Sequence, residues 1–102
     1  MDNVNIKQLH PAFEEILSEA PSFSENSEDQ LFILLEASVS KLLQKETEKL
    51  LQILYRLDVS EQKVREYLQK NPESRWPQGI ALLIIEREKE RQRWRSIYQK
   101  QV

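Results

Sequence analysis

Residues 27–57 read SEDQLFILLEASVSKLLQKETEKLLQILYRL, and their pattern decides the fold class. Ser27 followed three residues later by Gln30 is a capping-box pattern, in which the two side chains satisfy backbone donors left open by a first helical turn. From there to Leu57 there is no Pro and no Gly. At about 100° per residue, Phe32, Leu35, Val39, Leu42, Leu43, Leu50, Ile53, Leu54 and Leu57 share one face. The spacing predicts one long amphipathic helix from about Glu28 to Leu57. Its apolar stripe is interrupted once near the centre, at Glu46.

On the N-terminal side, Met1 to Gln8 is polar with isolated Val4 and Ile6 and reads as irregular. His10-Pro11 opens a short helix, because Pro at a first helical position lacks only an N–H that would be free anyway. Phe13, Ile16, Leu17 and Ala20 form its apolar face, and Pro21 ends it. Ser22 to Asn26 is a polar loop around Phe23.

On the C-terminal side, Leu57-Asp58-Val59-Ser60 reads as a tight break. Ser60 is the N-cap of a helix from Glu61 to about Lys70, and Val59 with Val64 forms a hydrophobic staple. Asn71-Pro72 closes it. Trp76-Pro77 opens a last helix reaching about Gln99, with Ile80, Leu83, Ile84, Trp94 and Tyr98 on one face. The expected fold is therefore all-α. One domain spans residues 1–102, with an N-terminal arm over 1–26 and a core over 27–102 of two long, roughly antiparallel helices joined by a short one.

Composition narrows the function classes. The chain has no Cys, which excludes disulfides, thiol nucleophiles and zinc–thiolate sites. Its one Gly, Gly79, cannot build a phosphate-cradling loop. His10 is the only histidine, with no second His and no Gly-x-Ser-x-Gly element to suggest a catalytic set. The acidic residues Glu14, Glu15, Glu25, Glu28 and Asp29 lack calcium-loop spacing and suit helix N-termini. No enzyme activity, cofactor or metal is expected. The longest unbroken apolar run, Ile80–Ile85, is far below the roughly 20 residues that cross a bilayer. Met1 to Ala20 has no basic start followed by an apolar run, so a soluble, cytoplasmic protein is expected.

Net charge is −2, but the halves differ. Residues 1–51 hold four basic and ten acidic side chains, a net of −6, whereas residues 52–102 hold eleven and seven, a net of +4. In the last helix, Arg87, Lys89, Arg91, Arg93, Arg95 and Lys100 surround Trp94 and Tyr98, a composition that can hold phosphates and stack on bases. Glu86, Glu88 and Glu90 alternate with them, which reads as a solvated face.

The run Leu57-Asp58-Val59-Ser60-Glu61-Gln62-Lys63-Val64-Arg65-Glu66-Tyr67-Leu68 resembles the turn and second helix of helix-turn-helix DNA-binding proteins. That resemblance implies a helix entering the major groove, with Gln62, Lys63 and Arg65, flanked by Glu61 and Glu66, facing DNA. The run departs from the family pattern at Asp58, where Gly is usual, and at Leu54, where a small residue is usual. Capping and the staple account for Val59, Ser60 and Val64 without DNA.

The function expected first is a protein–protein interaction or structural module acting through helical surfaces, with DNA binding as the alternative. Two segments, Leu31–Leu35 and Ile80–Ile85, are apolar all the way round a helix and need cover on more than one side. Phe13, Ile16 and Leu17 suit the first, and Val64, Tyr67 and Leu68 the second. Leu34, Leu82 and Ile85 lie off the main stripes and form the expected self-association surface of a homodimer. In an antiparallel pairing that sets Ile80 against Leu57, Ile84 against Ile53 and Trp94 against Leu43, Arg91 falls opposite Glu46 with Arg87 one turn away. The expected contact there is an inter-helix ion pair inside an apolar seam.

Overall fold

The computed structural model describes residues 4–18 and 27–100, with the side chains of 98–100 excepted. Every regular element among them is helical. A short 3-10 turn, Ile6–Gln8, precedes α1 (Ala12–Leu17), α2 (Glu28–Lys45), α3 (Thr47–Arg56) and α4 (Glu61–Lys70); a second 3-10 turn, Glu73–Arg75, leads into α5 (Trp76–Lys100). Ala20, Pro21 and the expected loop 22–26 lie outside the described residues.

Both serine caps form as the pattern requires. The Ser27 hydroxyl accepts the Gln30 N–H, and the Ser60 hydroxyl accepts the Lys63 N–H. The expected 28–57 helix, however, is two helices. Glu46 leaves helical geometry at φ −146° and ψ 64°. No Pro or Gly forces this. In a straight helix Glu46 would continue the stripe of Leu42, Leu50 and Ile53 and place a carboxylate in the core, at a cost of several kcal/mol. The break turns Glu46 to solvent instead. It also removes a helical donor from the Leu43 carbonyl, which accepts the Thr47 hydroxyl at 3.2 Å.

The break lets α3 pack back on α1 and α2, while α5 packs along α2 and α4. One cluster joins Phe13 and Ile16 of α1, Leu31, Leu35, Val39 and Leu42 of α2, Leu50, Ile53 and Leu54 of α3, Val64 of α4, and Ile80, Ala81, Ile84 and Ile85 of α5. The α2–α5 pairing has a different register from the expected one. Glu28, in the first turn of α2, bonds Lys89 at 2.9 Å, and Ser40 and Leu43 border the same hollow as Trp76 and Pro77. Trp94, expected against Leu43, lies beyond the first turn of α2 and is 56 % exposed.

Gly79 sits at the α4–α5 contact. A methyl group there would fall inside the ring of Tyr67, whose hydroxyl donates to the Arg75 carbonyl at 2.9 Å. The one glycine thus serves close approach of an aromatic ring. Ser38, fully buried in α2, has no hydrogen-bond partner for its hydroxyl.

The N-terminal arm is ordered by carboxylates. Burial raises the Glu28 carboxyl, but the Val4 N–H and the Lys89 ammonium outweigh it and hold the group below the usual carboxylate range. Glu88, read from sequence as part of a solvated face, is only 2 % exposed. It accepts from Arg91 at 2.9 and 2.6 Å, from Gln92 at 2.9 Å and from the His10 N–H at 3.2 Å. Arg91 also donates to the Gln8 carbonyl, and Gln92 exchanges hydrogen bonds with the Asn5 backbone.

Candidate interaction surface

The α3–turn–α4 segment carries an open groove lined mainly by apolar side chains. Its geometry starts at the end of α3. Asp58 has φ 62°, its N–H donates to the Tyr55 carbonyl, and the Val59 N–H reaches back to the Leu54 carbonyl. These two bonds make a Schellman motif, which reverses the chain through a left-handed residue. The Asp58 carbonyl and carboxylate both accept from Arg87, at 3.0 and 3.1 Å, and brace the turn on α5.

The turn leaves α3 and α4 splayed around a groove of about 420 Å³ lined by Leu51, Leu54, Tyr55, Val59, Val64 and Leu68, with Glu61 and Arg65 at its edge. Leu54 and Val64 form its buried floor, while Leu51 is 54 % and Tyr55 84 % exposed. A tyrosine this exposed loses most of the packing its ring could gain inside a core. Leu54, where the DNA-binding pattern has a small residue, fills space that close helix packing would need.

Each expected site residue can now be located. Arg91 pairs with Glu88, which raises the Arg91 pKa chiefly through their hydrogen bond. Arg87 pairs with Asp58 and Glu90. Glu46 is exposed at the helix break, so the expected Glu46–Arg91 or Glu46–Arg87 pair is replaced by these contacts. The change in register and the break at Glu46 together take Glu46 away from both arginines.

Leu34 and Ile85, expected on a self-association surface, are 6 % and 3 % exposed and are covered within the chain; Leu82 remains 49 % exposed. Leu34 lies on α2, which packs against α1, α3 and α5, and Ile85 lies on α5, which packs against α2 and α4. On α4, Gln62, Lys63 and Arg65 are exposed as the DNA-binding alternative requires. Two of them are engaged by carboxylates of their own helix: Arg65 with Glu61 at 3.1 Å, and Gln62 with Glu66 at 3.3 Å. Lys63 borders a smaller polar hollow of about 220 Å³ with Asp58, Glu86, Arg87 and Glu90.

Leu51 and Tyr55 were not singled out from sequence, although a signal was present. They stand four residues apart on α3, beside the Leu50–Ile53–Leu54 stripe, which makes α3 apolar over more than one face. Among the described residues no group of three or more His, Asp or Glu side chains could hold a metal ion, and no helix is long and apolar enough to cross a membrane. Comparison with family models, with curated proteins and with solved structures returned no match.

Proposed function

We propose that this chain is a non-enzymatic protein–protein interaction module that binds through the α3–α4 groove. The single observation that carries the reading is the apolar groove itself, with Leu51 and Tyr55 held exposed beside a buried floor of Leu54 and Val64. Apolar side chains grouped in this way mark an interface, whereas scattered ones do not. We read α2 and α5 as an antiparallel core pair within one domain that holds α3 and α4 in place. The absence of a long apolar helix among the described residues is compatible with the cytoplasmic location this reading assumes. The test is a photo-crosslinker at position 55 of the full chain, with and without Leu51→Asp. A discrete protein adduct lost in the Leu51→Asp background supports the reading; an adduct pattern indifferent to Leu51→Asp overturns it.

A second reading, duplex-DNA binding by the α3–α4 segment, is favoured by one observation. Asp58 adopts the left-handed turn conformation for which the helix-turn-helix pattern uses Gly. Against it, Glu61 and Glu66 lie on the face of α4 that would approach phosphates; Glu61 pairs with Arg65, and Glu66 accepts from the Gln62 amide. We expect selection from random duplex DNA to return no motif, and weak binding at most that vanishes as salt rises.

A further inference from the structure

We propose that the cleft between α2 and α5 is a binding site for a short segment of a partner protein, and that residues 4–10 of the N-terminal arm occupy it in cis. The site shares no lining residue with the α3–α4 groove and does not rest on the reading of that groove.

The arm is held as a bound peptide is held. Its described hydrogen bonds to α2 and α5 all go to its main chain. The Val4 N–H donates to Glu28 at 2.9 Å, and the His10 N–H donates to Glu88 at 3.2 Å. The Gln92 amide accepts from the Asn5 N–H at 2.8 Å and donates to the Asn5 carbonyl at 3.1 Å. Arg91 donates to the Gln8 carbonyl at 2.7 Å. The Asn5 and His10 side chains turn back instead to the Lys7 and Ala12 N–H groups. Apolar contact with the core comes from Val4, 6 % exposed, and from the partly buried Ile6 and Leu9. Main-chain bonds that ignore side-chain identity, with a few apolar anchors to select the sequence, are a general way for folded proteins to take up peptide segments.

The polar groups of the cleft are paired without the arm. Lys89 bonds Glu28 at 2.9 Å and ties α5 to α2. Glu88 is paired with Arg91 and accepts from the Gln92 amide at 2.9 Å, all within α5. Departure of the arm therefore leaves each carboxylate with its cation, and the groups that read the main chain stay oriented for another segment.

The arm is also an incomplete occupant. Of Val4, Ile6 and Leu9 only Val4 is buried. Two of the arm's bonds are long, the one to Glu88 and a 3.4 Å bond from Gln92 to the Gln8 carbonyl. A segment that buries its second apolar side chain and shortens these bonds gains over the arm. The arm of a second copy gains nothing, because it makes the same contacts against a tethered competitor whose local concentration is of roughly millimolar order. The chemistry that fits is a flexible partner segment with two aliphatic side chains spaced like Val4 and Leu9. The residue after the first must not be Pro, since Gln92 reads its N–H.

Fluorescence anisotropy of a labelled, N-acetylated peptide with the sequence of residues 4–11, titrated with the full chain, tests the proposal. In the wild type the tethered arm masks the cleft and binding is weak. Val4→Asp puts a charge at the arm's buried anchor and leaves every cleft residue intact. The peptide should bind that chain about tenfold more tightly or better, in proportion to the fraction of open clefts. Adding Gln92→Ala to Val4→Asp should weaken binding about tenfold, because both bonds to the Asn5 main chain of the peptide are lost. Circular dichroism checks that the helices persist; Asn5→Pro, which removes the N–H that Gln92 accepts, replaces Val4→Asp if they do not.

A Val4→Asp chain that binds the peptide no more tightly than wild type, or binding indifferent to Gln92→Ala, overturns the proposal. So does a wild type that sediments as a dimer and becomes monomeric with Val4→Asp, which gives the cleft to a second copy. The position-55 adduct of the α3–α4 groove is read separately, so failure of either proposal leaves the other standing.

Discussion

Replacing Glu88 by glutamine tests the reasoning about the arm most directly. Glu88 is 2 % exposed and accepts four hydrogen bonds, two of them from the Arg91 guanidinium. Glutamine keeps the shape but removes the charge, and its amide nitrogen faces donors where the carboxylate oxygens accepted. Breaking a fully buried pair by neutralising one member costs about 3–5 kcal/mol. The Arg91 side chain is 25 % exposed and can recover part of its hydration, which sets the expectation below that range, at about 2–3 kcal/mol. For a chain of this size that lowers the melting temperature by on the order of 10–20 °C. Urea unfolding followed by circular dichroism measures the loss. A cycle with Arg91→Gln should show coupling above about 1 kcal/mol, because the two residues share hydrogen bonds. A loss under about 0.5 kcal/mol, or strict additivity with Arg91→Gln, would refute the view that this carboxylate anchors residues 5–10.

Three further outcomes are expected. Gly79→Ala should destabilise by about 1–3 kcal/mol in urea unfolding, because the methyl group displaces the Tyr67 ring, and Tyr67→Ala in the same chain should abolish most of that penalty. Asp58→Gly should leave stability unchanged or raise it by up to about 1 kcal/mol, since relief of the left-handed backbone offsets an ion pair whose Asp58 side chain is 84 % exposed; Asp58→Val should cost about 1–2 kcal/mol, and the reverse order in thermal melts would count against the turn geometry. The folded-state pKa of Glu28 lies below the usual 4.5, so its contribution to stability is complete above about pH 4.5 and fades as pH falls below that; urea unfolding of Glu28→Gln from pH 7 down to pH 3 should show a shallower acid loss than wild type.

Much of the fold is readable from local pattern. The bounds of α4, the start of α5 and both serine caps follow from residues within a few positions of one another. The break at Glu46 does not. A stripe of apolar side chains says which face is buried, and a charge within it can be paired, turned outward or accommodated by a bend. Choosing among these needs the position of α1, which closes on α2 and α3 only because the chain bends. Glu88 has a similar cause: it follows Ala81 by seven residues and Ile84 by four, on the buried face. Its partner His10 is 78 residues away, beyond what periodicity can register. The groove was hidden for the opposite reason. Leu51 and Tyr55 look like core, and only the splay of α3 from α4 leaves them uncovered.

The attachment of the arm to α5 has a consequence for the order of folding during synthesis. The bonds from Asn5 to Gln92 close a loop of 87 residues, and those from His10 to Glu88 one of 78. Closing so long a loop carries its full entropic cost before any contact rewards it. On the ribosome, α1 to α4 are synthesised before Glu88 and Gln92, and α1, α2 and α3 can associate while the first residues still lack their docking site. The arm is then the last part to be immobilised, and it reports on completion of α5: a nascent chain too short for Gln92 to clear the ribosome should leave residues 5–10 open to protease, and one long enough for Gln92 to clear it should protect them.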